Sequence, residues 1–222
     1  MFLSWASILL NDFFKSNLNS SNIVFNSGTF SNVYGGNNFG GTTTTSNITV
    51  NYGTINNNLF GGGNNAPVTN SNIKINNGIL QNVFGGGNNG GGVTDNPNVV
   101  VTGGTVNGNL YGGGNKGVVT GDTNVLLNNA TIKGSAYAGG NGTEAIVNGD
   151  TYIEVGGGTT VGTPTCDLLS QCSVFGGGNA AKTGDEGINT SKAIVTVYGA
   201  EGVGEVRFND RELLTGYWQV ID

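Results

Sequence analysis

The chain has 222 residues, of which 42 are glycine and 10% are charged, and its formal net charge is −6. Collagen is excluded because its triple helix needs glycine at every third position and abundant proline, whereas this chain has three prolines. The absence of histidine argues against an enzyme, a bound cofactor and a metal site. The eight basic residues are scattered along the chain, which argues against nucleic-acid binding. No apolar run approaches the roughly 18 residues of a membrane span, so we expect no transmembrane segment.

The chain begins with an apolar segment in which Phe2, Trp5, Leu9 and Phe13 recur at spacings of three and four residues. This spacing is typical of an amphipathic helix. The segment lacks the positively charged start and the small-residue cleavage pattern of a secretory signal peptide. We therefore interpret residues 1–21 as an N-terminal capping segment that covers one end of the fold.

A motif of an aliphatic residue, an aromatic residue, glycines and asparagine recurs six times between residues 33 and 179, as in VFGGGNN from Val83 and LYGGGNK from Leu110. The spacings between successive aromatic residues are 26, 24, 27, 26 and 38. Regularly spaced apolar residues of this kind are not typical of disordered chains. The aromatic residues of the six copies are Tyr34, Phe60, Phe84, Tyr111, Tyr137 and Phe175.

Between these copies lies a second recurring motif, N-[IV]-x-[IV] in its commonest form, in which two apolar residues are separated by one intervening residue. Period-two patterning predicts a strand with one buried face. Lys74, Val100 and Leu126, the intervening residues, should therefore face away from the core. The residues predicted to form buried, stacked rows are Ile73, Ile75, Val99, Val101, Val125 and Leu127.

A repeat of about 26 residues cannot bury its own apolar face, but stacked copies bury a continuous core. Glycine interrupts every candidate helix, and propeller blades need about 40–50 residues each. The sequence therefore predicts an all-β fold, a single-stranded parallel β-helix (β-solenoid) over residues 22–200. We expect about seven coils of roughly 26 residues, with terminal caps.

The asparagine and the aromatic residue that recur in each copy of the motif predict two structural rows. Asparagine tolerates left-handed backbone, and equivalent asparagines in stacked coils can join their amides in a ladder. The aromatic row has two interpretations, a buried stack or an exposed platform for sugar rings, and we favour the buried one. The predicted ladder consists of Asn37, Asn64, Asn88, Asn115, Asn141 and Asn179.

The wide last spacing predicts an insertion near residues 159–173, and Cys166 and Cys172 lie inside it. A disulfide that closes this short loop is the interpretation we favour, and two unpaired small residues are the alternative. After Tyr198 the repeat stops, and residues 201–222 are expected to be a C-terminal cap or a junction. Unpaired backbone at either end would permit end-to-end self-association.

Three kinds of site were weighed against the turn interpretation. The glycine runs lack the following helix and the lysine of a phosphate-binding loop. Asparagine stands where calcium-binding β-roll repeats carry aspartate, which leaves a weak stacked site at Asp122 and Asp150 as the alternative. A glycosidase would need paired carboxylates, and the closest to a pair here is Asp185 with Glu186. We assign no catalytic, cofactor or metal residue.

The repeat pattern VFGGGN…TNVxI…GGTV resembles the glycine- and asparagine-rich repeats of adhesin-like surface proteins of anaerobic bacteria, over roughly residues 22–200. The resemblance implies a cell-surface or extracellular location and a role in display or attachment. The expected function is thus a non-catalytic structural or adhesive module, whose partners would be surface glycans or cell-surface proteins. The alternatives are a carbohydrate-binding or polysaccharide-cleaving module and a segment like a phage tail fibre.

Overall fold

The computed structural model describes residues 17–93, 95–162, 173–184, 191–198 and 206–207 of the chain. These residues form two parallel sheets that the chain visits alternately, so that each coil lies on the one before it. The fold is the predicted all-β parallel solenoid, with about six stacked turns of about 26 residues. The helix predicted for the N-terminal cap, most of the C-terminal cap and both cysteines lie outside the described residues.

One sheet contains seven long strands, and we call it the seven-stranded sheet. Its first strand begins at Leu18, four residues before the predicted start of the solenoid. Neighbouring strands pair in parallel with equivalent residues opposite each other, as Ile48 is with Ile73. The strands, in order across the sheet, are β1 (Leu18–Phe25), β4 (Thr43–Val50), β6 (Val68–Ile75), β8 (Asn98–Val101), β11 (Thr123–Asn128), β14 (Thr151–Gly156) and β17 (Ala193–Tyr198).

The second sheet has eleven shorter strands, because most coils cross it in two pieces. All of its named strand pairs are also parallel. The strands are β2 (Thr29–Phe30), β3 (Val33–Tyr34), β5 (Thr54–Phe60), β7 (Ile79–Phe84), β9 (Thr105–Val106), β10 (Leu110–Tyr111), β12 (Thr131–Ile132), β13 (Ala136–Tyr137), β15 (Thr160–Val161), β16 (Val174–Phe175) and β18 (Val206–Arg207).

The main core lies between the two sheets and contains the predicted rows. Ile73, Ile75, Val99, Val101, Val125 and Leu127 are all buried there. Lys74 is exposed, and Val100 and Leu126 are half-buried on the outer face, so the predicted register is confirmed. The alternation explains this arrangement, because a strand in a sheet points successive side chains to opposite faces.

A tight turn joins each of the first four long strands to the second sheet. Gly53 and Gly78 adopt φ values of 120° and 116° in two successive turns. Residues with a Cβ rarely adopt this backbone, which explains glycine at this position. The Thr54 and Ile79 amides, just after these glycines, donate to the carbonyl oxygens of Gly28 and Gly53 in the preceding coil. The turns therefore extend the sheet bonding around the corner.

The glycine-rich loop after each aromatic residue packs directly on the next loop. A Cβ built on Gly86 would lie 2.8 Å from the nitrogen of Gly114, and one on Gly113 would lie 2.8 Å from the nitrogen of Gly140. Real Cβ atoms do not approach backbone so closely. The glycine runs are thus required by close contact between coils.

Buried hydroxyl groups tie the long strands to these loops. The Ser71 hydroxyl donates to the Gly85 carbonyl at 2.5 Å, and the Thr123 hydroxyl donates to the Ala138 carbonyl at 2.6 Å. Thr151 makes the equivalent bond to Gly176 at 2.6 Å. Because a buried polar group without a partner is costly, these bonds fix the loops against the seven-stranded sheet.

Candidate functional site

An asparagine ladder runs along the solenoid where each glycine run ends. The Asn88 side-chain amide donates to the Asn64 side-chain oxygen at 2.8 Å, and Asn115 donates in the same way to Asn88 at 2.9 Å. The ladder continues through Asn141 at 3.0 Å and Asn179 at 2.9 Å. Its half-buried position strengthens each amide bond relative to one in open water.

The first member of this ladder is Asn38, and the sequence-based choice of Asn37 was wrong. Asn64 donates its side-chain amide to the Asn38 oxygen at 2.7 Å. The Asn64 backbone amide donates to the Asn37 carbonyl, as the Asn88 amide does to that of Gly63. Asn37 therefore occupies the place of the third glycine, because the first motif has two glycines and two asparagines in the same length.

The six predicted aromatic residues form one continuous stack. Neighbouring ring centroids are 4.6–5.0 Å apart, with interplanar angles of 5–15°. Five of the rings are buried, and only Tyr34, in the first coil, is partly exposed. Stacked pairs contribute about 0.5–1.5 kcal/mol each beyond their buried area. The row is therefore a second core, and these rings offer no platform for sugars.

Burial also changes the acidity of the tyrosines in this stack. Tyr137 is 1% exposed, and its removal from solvent raises the pKa of its phenol to about 12. Burial raises the pKa of Tyr34 and Tyr111 in the same direction. All three phenols are therefore neutral at physiological pH.

Further asparagine ladders follow other corners of the coil, and the sequence analysis did not predict them. Asn51 donates to Asn26 at 2.8 Å, and Asn76 donates to Asn51 at 2.8 Å. A second row of three joins Asn22, Asn47 and Asn72 at 2.9 and 3.1 Å. The sequence signal is the regular recurrence of these asparagines, 25 residues apart in both rows.

Asp122 and Asp150 lie in one column, as their shared sequence context indicated. The Asp150 backbone amide donates to the Asp122 carboxylate at 2.8 Å, and the Lys192 amide donates to the Asp150 carboxylate at 2.7 Å. The Tyr152 hydroxyl donates to the second Asp150 oxygen at 2.9 Å, and this bond raises the pKa of the phenol. One oxygen of each carboxylate thus joins a coil to the next.

The structure does not bring the other acidic residues to this column. Asp95 and Glu144 lie in return loops, and Glu154 lies on the outer face of β14. Asp185 and Glu186 lie outside the described residues. Within residues 17–93, 95–162, 173–184 and 191–198, no three histidine, cysteine or acidic side chains gather into a group that could hold a metal ion.

The outer face of the seven-stranded sheet carries a shallow depression of about 260 Å³. Its lining includes Leu126, Asn98, Asn124, Tyr152 and Glu154. The strand alternation that buries Val125 and Ile153 turns these side chains outward. This face thus presents polar and apolar side chains together.

Comparison of the chain with protein-family models, curated proteins and solved structures finds no match. The described part of the chain contains no helix long and apolar enough to cross a membrane.

Proposed function

We propose that the chain is a non-catalytic structural module that holds attached parts of a larger surface assembly at a fixed distance. The observation that carries this proposal is the continuity of the asparagine ladder from Asn38 to Asn179. The aromatic stack runs beside it over the same coils. The coils between the two ends of the ladder are thus each joined to both neighbours by backbone bonds, an amide pair and a ring pair.

Such a construction resists local opening. Separating two coils breaks several contacts that act together, because each group bonds to the coil on either side. Stiffness of this kind suits a spacer or display module, which must transmit position and force without changing shape. The resemblance of the repeats to adhesin-like surface proteins supports an extracellular or cell-surface location for the module.

The polysaccharide-directed alternative loses its main support, because the aromatic rings that suggested it are buried. Of the described acidic residues, Asp122 and Asp150 are engaged in backbone hydrogen bonds between coils, and Glu154 lies on the outer face of the seven-stranded sheet. Attachment to glycans or to proteins of another cell remains a prediction of the resemblance. A glycan array probed with the intact chain tests that attachment.

Single-molecule pulling along the solenoid axis tests the structural role. We expect the intact chain to extend little until a high force, and then to unfold in one or a few large steps. The variant Asn115→Ala should unfold at a lower force, because it removes two ladder bonds. Gradual extension at low force, equal in the two proteins, would show that the coils are not mechanically coupled and would overturn the proposal.

A further inference from the structure

A row of asparagine side chains on the outer face of the seven-stranded sheet stops bonding part-way along the solenoid. Asn22, Asn47 and Asn72 are joined by side-chain hydrogen bonds of 2.9 and 3.1 Å. Asn98 and Asn124 continue the same column, because strand pairing places Asn98 opposite both Asn72 and Asn124. Within the described residues, the side-chain amides of Asn98 and Asn124 have no hydrogen-bond partner, although both residues are half-buried. Each amide therefore offers donors and an acceptor to a ligand.

These two amides line the shallow depression of about 260 Å³, and a tyrosine stands beside them. Tyr152 pairs with Asn124 across the sheet and also lines the depression. Its hydroxyl donates to the Asp150 carboxylate at 2.9 Å, and the other oxygen of that carboxylate accepts from the Lys192 backbone amide at 2.7 Å. Because the carboxylate is itself fixed by the next coil, the tyrosine ring is restrained beside the two amides.

The rest of the lining favours a neutral ligand. Leu126 and Ile194 are half-buried on the outer face and supply aliphatic surface near the tyrosine. Among the described residues that line the depression, Glu154 is the charged one, and it already has a partner within the chain. An anionic ligand would meet a negative charge there and no positive one, and like charges repel. A cation would find that carboxylate already engaged.

We propose that this depression binds a short stretch of a neutral glycan. One face of a sugar ring presents C–H groups, which pack on an aromatic face such as that of Tyr152. Sugar hydroxyls both donate and accept hydrogen bonds, as do the amides of Asn98 and Asn124, which stand on neighbouring strands about 4.8 Å apart. Aromatic and apolar surface with a few well-placed polar groups is the usual lining of a ligand site.

The size and shape of the depression agree with such a ligand. Its volume of about 260 Å³ lies just below the roughly 300–1,000 Å³ of pockets that enclose a drug-sized molecule. The depression is shallow and lies on the open face of a sheet, so a glycan chain can continue past it at either end. It therefore suits a few sugar units of a longer chain better than an enclosed small molecule.

Such binding is separate from the structural role proposed above. That role depends on the asparagine ladder from Asn38 to Asn179 and on the aromatic stack, and neither lines the depression. A chain that resists pulling but binds no neutral glycan would keep the structural role and lose this site. A chain that binds a neutral glycan but extends at low force would do the reverse.

A printed array of neutral and acidic oligosaccharides, probed with the intact chain, is the first measurement, and we expect binding to neutral members. The neutral oligosaccharide that binds most strongly is then titrated into the ¹⁵N-labelled chain and followed by two-dimensional NMR. The side-chain amide signals of Asn98 and Asn124 should shift. Those of Asn64 and Asn88, which are bonded to each other in the ladder, should stay in place.

Substitutions test the same site with that oligosaccharide. Tyr152→Ala should weaken binding by at least about tenfold, because it removes the aromatic face. Tyr152→Phe keeps the ring and should bind nearly as the wild type does, whereas Asn124→Ala should bind more weakly. Tyr52→Ala and Asn107→Ala are the matched controls, at exposed residues outside the depression, and should bind like the wild type.

Three results would each overturn the proposal. The first is that the intact chain binds no neutral glycan, or binds acidic glycans alone. The second is that Tyr152→Ala and Asn124→Ala both bind as the wild type does. The third is that the glycan shifts signals elsewhere and leaves the amides of Asn98 and Asn124 unchanged. Circular dichroism on each variant establishes that a loss of binding is not a loss of fold, and the NMR titration needs no substitution.

Discussion

The side-chain amide of Asn88 donates to the side-chain oxygen of Asn64 at 2.8 Å, although 24 residues separate the two along the chain. The same bond recurs from coil to coil, with 26 or 27 residues between partners in the regular coils and 38 across the insertion. A long insertion therefore leaves the ladder in register. The ladder depends on where each asparagine stands relative to its own glycine loop, and not on the length of the coil.

Replacing a central ladder residue should destabilise the whole solenoid. Asn115→Ala removes two hydrogen bonds and leaves the Asn88 oxygen and the Asn141 amide without those partners. We expect a loss of about 2–3 kcal/mol in the free energy of unfolding, measured by urea denaturation. Asn107→Ala is the control, since Asn107 is exposed. Equal effects of the two substitutions would show that the ladder adds nothing to stability.

The first coil offers a matched pair of neighbouring asparagines. Asn37 stands in a position that glycine occupies in the next coils, and its side-chain amide donates to the Gly40 carbonyl of its own loop at 3.2 Å, so Asn37→Gly should lower the free energy of unfolding by less than about 1 kcal/mol. Asn38→Ala removes the bond from Asn64 and should cost about 1–2 kcal/mol. Thermal unfolding of the two variants distinguishes them. The reverse order of stability would restore Asn37 as the ladder residue.

Adding one methyl group to the glycine loops should be severely disruptive. In Gly86→Ala the new Cβ would meet the backbone of Gly113 and Gly114, which has no flexible side chain to move aside. Overpacking of this kind costs about 1–3 kcal/mol. Gly90→Ala is the control, because its nearest neighbour would lie 3.9 Å away. If the two variants have the same melting temperature, the loops are not packed as described.

Alkaline solution should weaken the fold through the buried phenols. The pKa of Tyr137 is about 12 in the folded chain and about 10 in the unfolded one, so the unfolded chain loses its proton first. Stability from this residue is complete below about pH 10 and is lost as the pH rises toward about 12. Tyr137→Phe should therefore lose less stability over this range than the wild type, whereas Tyr52→Phe, at an exposed residue, should behave as the wild type does. Identical pH profiles for all three proteins would exclude this origin.

Much of the fold could be predicted from the sequence because the same pattern of apolar residues, glycines and asparagine recurs in each coil. The alternation around Lys74 gives the buried and exposed faces correctly, since a strand has only two faces. The ladder position in the first coil was misassigned because Asn37 and Asn38 are chemically identical. Their distances from Tyr34 separate them, since each ladder asparagine follows its aromatic residue by four positions.

The position of the aromatic row was less accessible to sequence reasoning. The burial of these rings depends on the backbone bending between Leu59 and Phe60, which places the first in the main core and the second in the aromatic stack. The alternation of side chains along the strand alone permitted the aromatic ring to lie on either the buried or the exposed face.

Amide hydrogen exchange in the glycine loops tests the central claim most directly, namely that ladders and loops lock successive coils into one rigid body. The Gly85 amide donates to the Tyr111 carbonyl at 2.9 Å, and the Gly112 amide donates to the Tyr137 carbonyl at 2.8 Å. We predict that these loop amides exchange as slowly as the amides of Val99 and Val125 in the long strands. Exchange at the rate of an unprotected glycine-rich chain, with the strands still protected, would contradict the account.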